Sequence, residues 1–212
     1  MRTRTRVKFC GITRPEDARI AASLGVDAVG LVFVEASPRC VSVDQARAIC
    51  ESLPPMVEIV GLFMNTPAER IESLIGALPL SVLQFHGAES PRECARFGRP
   101  WWKALPMASP ERIQYRGWRG ARALLLDGHA PGQMGGTGKR FDWNAFTPPP
   151  RPWILAGGLD PDTIVDAVRR LRPPAVDVSS GIESAPGIKD ATLMQRFIAN
   201  LESTDTENHV HG

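Results

Sequence analysis

The sequence predicts an α/β fold, a single-domain (β/α)8 barrel. Eight short β-branched or apolar runs recur along the chain, as expected for buried strands. Segments with helical apolar spacing lie between them, so the strands should pair in parallel through right-handed crossovers. No interior Pro/Gly/Ser-rich linker divides the 212 residues, and a 43% hydrophobic content suffices for one packed core. Eight units in about 200 residues fit a closed barrel at the small end of its size range.

The predicted strands are continuous apolar runs, which is typical of parallel strands covered on both faces. They are VKFC at 7, AVGLVF at 28, EIVGLF at 58, SVLQF at 81, WWKAL at 101, ALLL at 123, WILA at 153 and AVDVS at 175.

The clearest predicted helices are PEDARIAASLG (15–25), SVDQARAICESL (42–53), TPAERIESLIGAL (66–78) and DPDTIVDAVRRL (160–171). Ser42, Thr66, Ser90 and Asp160 are predicted N-caps. The sixth helix is the weakest, because a Gly-rich loop follows ALLL and leaves one turn predicted near Asp142.

The barrel is predicted to occupy residues 1–202 and to be followed by a polar, disordered tail at 203–212. A doubly wound open sheet is the alternative. It would usually have fewer strands and a G-x-G-x-x-G fingerprint after the first strand, which CGITRPED lacks.

Composition bounds the class of protein. The 25 basic and 23 acidic residues are spread along the chain and give a net charge of +2, so no nucleic-acid surface is expected. The four cysteines have no C-x-x-C or zinc-ligand spacing, which favours reduced thiols in a cytoplasmic protein without a structural metal. No apolar leader or membrane span is evident, so no membrane partner is expected.

Barrel enzymes carry their active sites where the strands end, and two predicted strands end on candidate acid–base groups. Cys10 ends the first and Asp127 the sixth, so they could face each other across the barrel mouth. A thiolate can act as a base if a cation lowers its pKa, and Lys8 is on the same strand face. A partly buried Asp can act as a general acid. Taken singly, Cys10 is more often a small buried side chain and Asp127 a helix-cap or turn residue, and their joint placement is what favours the catalytic interpretation.

Two further polar residues follow strands. Arg39, in SPRC, offers a planar guanidinium that could bind a carboxylate, although a surface arginine is the alternative. His86, after LQF, is either a proton shuttle or a packed, hydrogen-bonded residue.

Glycine clusters late in the chain predict a phosphate site, because glycine lets backbone amides approach an anion and a helix start adds its dipole. Tight turns are the alternative for each cluster. GQMGGTGKR is not a Walker A loop, since Gln133 and Arg140 replace required residues. The predicted phosphate-binding residues are Gly135, Gly136, Thr137, Gly138, Gly157, Gly158, Ser180 and Gly181.

Several of these motifs together resemble the phosphoribosylanthranilate isomerase family of tryptophan biosynthesis. The resemblance runs from about Val7 to Leu201, and the combination of KFCGIT, GGTGKRFDW and DVSSGIE is highly specific. It implies an Amadori rearrangement of N-(5-phosphoribosyl)anthranilate to 1-(o-carboxyphenylamino)-1-deoxyribulose 5-phosphate, without cofactor or metal. In one departure, Cys40 follows SPR, where the family commonly has a bulkier residue.

The resemblance also implies roles for the candidate residues. Cys10 would be the general base and Asp127 the general acid, and Arg39 would hold the anthranilate carboxylate. The glycine loops would hold the phosphate, and Lys8 and His86 complete the predicted substrate-binding set. The partner would be a small phosphorylated substrate, and the protein a monomer or a homodimer.

Two rival functions remain open. The first is another sugar-phosphate isomerase on the same scaffold, acting on a histidine-pathway substrate, but such barrels typically use a carboxylate pair where this chain has Cys10. The second is a phosphate-binding module that has lost catalysis, although both proposed catalytic groups are present.

Overall fold

The fold is a closed barrel of eight parallel strands in chain order, with β8 returning to pair with β1. A computed structural model describes residues 4–107, 115–128, 143 and 146–210, with side chains up to residue 207. The predicted single-domain barrel is confirmed. Its strands are β1 (Arg6–Cys10), β2 (Ala28–Val32), β3 (Glu58–Phe63), β4 (Val82–Phe85), β5 (Trp101–Pro106), β6 (Ala123–Asp127), β7 (Trp153–Leu155) and β8 (Ala175–Val178).

The described helices lie outside this barrel, and a small hairpin follows β8. The helices are α1 (Pro15–Ser23), α2 (Val43–Glu51), α3 (Ala68–Ala77), α4 (Pro91–Ala95), α5 (Ile164–Leu171) and α6 (Ala191–Val210). The antiparallel strands β9 (Glu183–Ala185) and β10 (Ile188–Lys189) form the hairpin. The turn predicted near Asp142 lies outside the described residues.

Two of the four predicted N-caps are confirmed. Ser42 and Ser90 each form a capping box, in which the serine hydroxyl accepts a hydrogen bond from the amide of the third helical residue and that residue's side chain accepts one from the serine amide. The other two are wrong, by one position for Thr66 and by three for Asp160. Pro67 precedes α3 in place of Thr66, and Asp160 accepts from the amide of Thr163 in a turn that delays α5 to Ile164.

The core has two layers. Large side chains pack between the sheet and the helices, and Phe9, Phe63, Phe85 and Phe197 are fully buried there. The barrel interior holds smaller clusters around Trp102. Because neighbouring residues on a strand point to opposite faces, the residues alternating with the outer core are directed toward the axis. The inward positions at the strand ends are thereby available for polar side chains.

The chain end corrects the predicted domain boundary. Residues 203–210 do not form a separate tail, because α6 continues through them to Val210. The Asp205 carboxylate accepts hydrogen bonds from the Thr5 amide at 2.7 Å and the Thr5 hydroxyl at 2.8 Å. One of the polar residues that suggested disorder, Asp205, therefore contacts Thr5, the residue directly before β1.

Within the described ranges, no helix has both the length and the apolar composition required to cross a membrane.

Candidate active site

A pocket opens at the C-terminal end of the barrel. Its wall combines apolar side chains, among them Val32, Leu62 and Met64, with a few polar groups, as in sites for small organic ligands. Among the described residues, seven of the eight strands or the loops after them contribute to its wall. The wall includes Cys10, Arg39, Gln84, His86, Asp127, Gly157, Gly158, Asp177, Ser179 and Ser180.

The two predicted acid–base residues lie in this wall. Cys10 ends β1 and Asp127 ends β6, and both are buried, with exposures of 5%. Backbone contacts hold both positions: the Cys10 carbonyl accepts from the Ser179 hydroxyl at 3.0 Å, and the Asp127 carbonyl accepts from the Met107 amide at 2.8 Å. The structure thus brings a thiol and a carboxyl group to one pocket.

Two glycines make room for these side chains. A Cβ atom on Gly30 would lie 2.8 Å from the Cys10 sulfur and 3.0 Å from the Lys8 Nζ. Gly11 has φ +71°, and a Cβ atom there would lie 2.5 Å from Cδ of Arg39. Because glycine has no Cβ atom, β2 can approach Cys10 closely at Gly30, and the Arg39 stem can approach closely at Gly11.

Lys8 lies two residues before Cys10 on β1 and is absent from the described wall of the pocket. Its Nζ forms a buried ion pair with Asp177 at 2.8 Å. Burial would lower the pKa of Lys8, but Asp177 and Cys10 outweigh it and the pKa is raised, so the ammonium stays charged. Burial raises the pKa of the Cys10 thiol, and Lys8 offsets only part of this effect. Lys8 is therefore placed to stabilise the Cys10 thiolate, whereas direct substrate contact is not favoured by this position.

His86 lies beside the proposed acid. Its Nε2 is 3.4 Å from Oδ2 of Asp127, and its Nδ1 is 3.5 Å from Nε2 of Gln84. The sequence left open whether His86 is a packed residue or a proton shuttle. The structure places it on the pocket wall, within reach of the Asp127 carboxyl group.

Arg39 reaches the pocket from the loop after β2 and is held by a carboxylate. Its Nε and Nη2 donate to the two oxygens of Glu183 at 2.8 and 2.7 Å. These hydrogen bonds raise the pKa of Arg39 and keep the guanidinium charged. Cys40 is not among the described residues of the pocket wall.

The predicted phosphate residues have three different outcomes. Gly157, Gly158 and Ser180 line the pocket, and both glycines have positive φ angles, 83° and 66°. Gly181 is instead packed against the Leu159 carbonyl, where a Cβ atom would clash, so it joins the loops after β7 and β8. Residues 135–138 (Gly135, Gly136, Thr137 and Gly138) lie outside the described residues.

The helix expected directly behind the β7 glycines is also displaced. A turn at residues 161–163 intervenes, and α5 begins at Ile164. The backbone at Gly157 and Gly158 is therefore the stronger local feature for anion binding than the dipole of α5, because a helix dipole acts mainly within its first turn.

A protein-family model described as N-(5'phosphoribosyl)anthranilate (PRA) isomerase matches residues 7–200 of the chain. The chain belongs to this family. The family assignment made from the sequence motifs is thus confirmed.

Individual members of the PRA isomerase family match over nearly the whole chain. N-(5'-phosphoribosyl)anthranilate isomerase of Thiobacillus denitrificans is 49% identical over 202 residues, which cover 94% of this chain and 98% of the relative. The crystal structure of the Thermus thermophilus phosphoribosyl anthranilate isomerase aligns with a TM-score of 0.84 at 41% identity, covering 94% and 99% of the two chains.

A further PRA isomerase structure was solved in complex with reduced 1-(o-carboxyphenylamino)-1-deoxyribulose 5-phosphate. It aligns with a TM-score of 0.80 at 35% identity, covering 94% of this chain and 99% of the other.

Four polar residues near this PRA isomerase pocket were missed by sequence reasoning. Gln84 and Asp177 interrupt the apolar runs VLQF and AVDV at inward positions, which was a usable signal. Glu183 and Lys189 gave no such signal, because they belong to the short hairpin after β8. They join the site through Arg39, since Lys189 donates to the same Glu183 carboxylate at 2.7 Å.

Proposed function

We propose that this chain catalyses the Amadori rearrangement of N-(5'-phosphoribosyl)anthranilate at the barrel mouth, with Asp127 as general acid and Cys10 as general base. The isomerase activity follows from membership of the family. The observation that supports the residue roles is the presence of both groups, each buried, in the wall of one pocket.

The first step opens the ribose ring. The Asp127 carboxyl group donates a proton to the ring oxygen as the C1–O bond breaks, and the anilinic nitrogen supplies the electron pair that forms an iminium ion. A general acid must hold its proton within reach of the leaving oxygen, and Asp127 ends β6 in the wall of the pocket. His86, 3.4 Å from Asp127, is placed to exchange protons with it.

The second step removes the proton from C2. The Cys10 thiolate accepts this proton, and the electrons of the C2–H bond neutralise the iminium ion to give an enolamine. Tautomerisation then moves the hydroxyl proton at C2 to C1 and yields the ketone. Proton exchange with solvent resets Cys10 and Asp127, so the reaction is an isomerisation without net proton change.

The remaining groups bind the two ends of the substrate. Arg39 would bind the anthranilate carboxylate with a charge-assisted, bidentate geometry. The backbone of Gly157 and Gly158 and the Ser180 region would bind the phosphate, with residues 135–138 as the third predicted segment. Gly181 would contribute by holding two of these loops together.

Substitution of the two proposed catalytic groups tests these roles. We expect Cys10→Ser and Asp127→Asn each to slow the decay of substrate fluorescence by about two to four orders of magnitude, as for loss of a general acid or base. Cys50→Ser and Asp44→Asn are the matched controls, because Cys50 and Asp44 lie on α2, outside the pocket. Near-normal turnover by either catalytic variant would refute that residue's role.

The binding partners, the oligomeric state and the cellular location stay predictions. We expect one small phosphorylated substrate, no nucleic acid or membrane partner, no cofactor or metal, and a monomer or homodimer in the cytoplasm. Sedimentation of the purified protein across a range of concentrations distinguishes the two oligomeric states.

A further inference from the structure

We propose that Glu183 is a positioning residue that fixes which edge of the Arg39 guanidinium is offered to the pocket. Through Arg39, it would make the site selective for ligands that carry a carboxylate on the aryl group. This inference rests on the proposed function, in which Arg39 binds the anthranilate carboxylate.

The geometry of the ion pair leaves half of the guanidinium for a ligand. Glu183 accepts one hydrogen bond from Nε and one from Nη2 of Arg39, at 2.8 and 2.7 Å. A guanidinium has five protons in a planar fork, so the remaining three lie on Nη1 and the outer side of Nη2. Arg39 lines the pocket, whereas Glu183 does not belong to its described wall. The carboxylate thus holds one edge of the fork and leaves the other edge for a second carboxylate.

Glu183 is itself held in place. The Lys189 Nζ donates to Oε1 of Glu183 at 2.7 Å and to the Ser179 carbonyl at 3.0 Å. The Lys189 side chain is fully buried and that of Glu183 is 5% exposed. Burial would raise the pKa of Glu183, but Arg39 and Lys189 outweigh it and lower the pKa, so the carboxylate is ionised at neutral pH.

The charge of this cluster favours an anion. Arg39 and Lys189 share the single carboxylate of Glu183. Burial lowers the pKa of Lys189 and Glu183 opposes this effect, so the triad has two cationic groups for one anionic group. Partly buried charges are stabilised when they are paired and hydrogen-bonded. A ligand carboxylate on the open edge of Arg39 would complete this compensation, whereas an uncharged aryl group would not.

The position of Arg39 would also hold the aryl end of a ligand close to Cys10. The aliphatic stem of Arg39 crosses Gly11, the residue next to Cys10, so closely that a Cβ atom on Gly11 would lie 2.5 Å from Cδ. The contact of the stem with Gly11 and the ion pair with Glu183 therefore hold the Arg39 side chain at two points. The alternative is that the pair only fastens the β9–β10 hairpin to the loop after β2.

Binding of two product analogues separates positioning from fastening. The first analogue is reduced 1-(o-carboxyphenylamino)-1-deoxyribulose 5-phosphate, and the second is the same compound without the ring carboxylate. The Kd of each is measured by calorimetry for the wild type, Glu183→Gln and Arg39→Ala. Glu183→Gln keeps the size of the side chain but removes its charge and one of its two acceptors.

We expect Glu183→Gln to weaken binding of the carboxylated analogue about ten- to hundredfold, the range for a lost charge-assisted hydrogen-bonding arrangement. The Kd of the analogue without the carboxylate should change less than about twofold, because independent contacts contribute additively. Glu58→Gln is the matched control and should change neither Kd, since Glu58 pairs with Arg122 at 3.1 Å and is not part of the described pocket wall.

The outcomes separate the inference from the proposed function. If Glu183→Gln weakens binding of both analogues by the same factor, or binds both as tightly as the wild type, the positioning role is wrong. If Arg39→Ala then no longer distinguishes the two analogues, the role of Arg39 is still supported. Unchanged discrimination in Arg39→Ala would overturn both. If Glu183→Gln does not fold by its urea unfolding transition, Glu183→Asp, which keeps the charge but shortens the reach, must show the same selective weakening.

Discussion

At the scale of residues, the protonation state of Cys10 is the central question. Burial opposes the thiolate, while Lys8, locked to Asp177 at 2.8 Å, favours it. The net effect raises the pKa of Cys10, so the resting thiol is mostly protonated near neutral pH. Since a base must be deprotonated, kcat/KM should rise with pH as the thiolate fraction grows.

Replacing the thiol by a carboxyl group tests this dependence. We expect Cys10→Asp to flatten this alkaline rise in kcat/KM, because a carboxyl group loses its proton at lower pH than a buried thiol and Lys8 favours the anionic form at this position. Cys50→Ser should keep the wild-type profile. An unchanged alkaline rise in Cys10→Asp would assign that rise to a group other than Cys10.

At the scale of elements, the site depends on close passage of neighbouring strands. Cys10 on β1 pairs in register with Gly30 on β2. The space above Gly30 is filled by the Cys10 sulfur and the Lys8 ammonium. The strand pairing thus determines where the thiol points, and a side chain on β2 would displace it.

We expect Gly30→Ala to lower kcat at least about tenfold, because an added Cβ atom 2.8 Å from the sulfur forces Cys10 or Lys8 to move, and small misplacements of reacting groups are costly. Gly76→Ala is the control, since Gly76 lies in α3 with no atom within 4 Å of an added Cβ. It should keep full activity and gain about 0.5–1 kcal/mol in unfolding free energy. Steady-state kinetics and urea unfolding measure both effects, and a fully active Gly30→Ala would contradict this account.

At the scale of the whole molecule, the barrel and the placement of its site were predictable because both follow from short-range patterns. Apolar runs alternate with helical segments, and Cys10 and Asp127 stand where two runs end. The Arg39–Glu183 contact joins residues 144 apart in sequence, and no local pattern encodes it. The boundary at 202 was wrong for the same reason, since the partner of Asp205 is Thr5, 200 residues away.

The joining of the chain ends is itself testable. We expect a chain that ends after Glu202 to lose about 1.5–3 kcal/mol of unfolding free energy, because the buried, charge-assisted hydrogen bonds from Thr5 to Asp205 are removed. A chain that ends after Glu207 keeps them and serves as the control. Equal stability of the two truncated chains in urea unfolding would show that residues 203–207 do not stabilise the barrel.

The central claim is that Asp127 opens the ring and Cys10 then removes the C2 proton. The most direct test compares turnover of substrate carrying hydrogen or deuterium at ribose C2. In Cys10→Ser, proton removal should limit the rate, so the deuterium isotope effect on kcat should exceed that of the wild type. In Asp127→Asn, ring opening should limit the rate and the isotope effect should vanish. An isotope effect that grows in Asp127→Asn and vanishes in Cys10→Ser would contradict the two assignments.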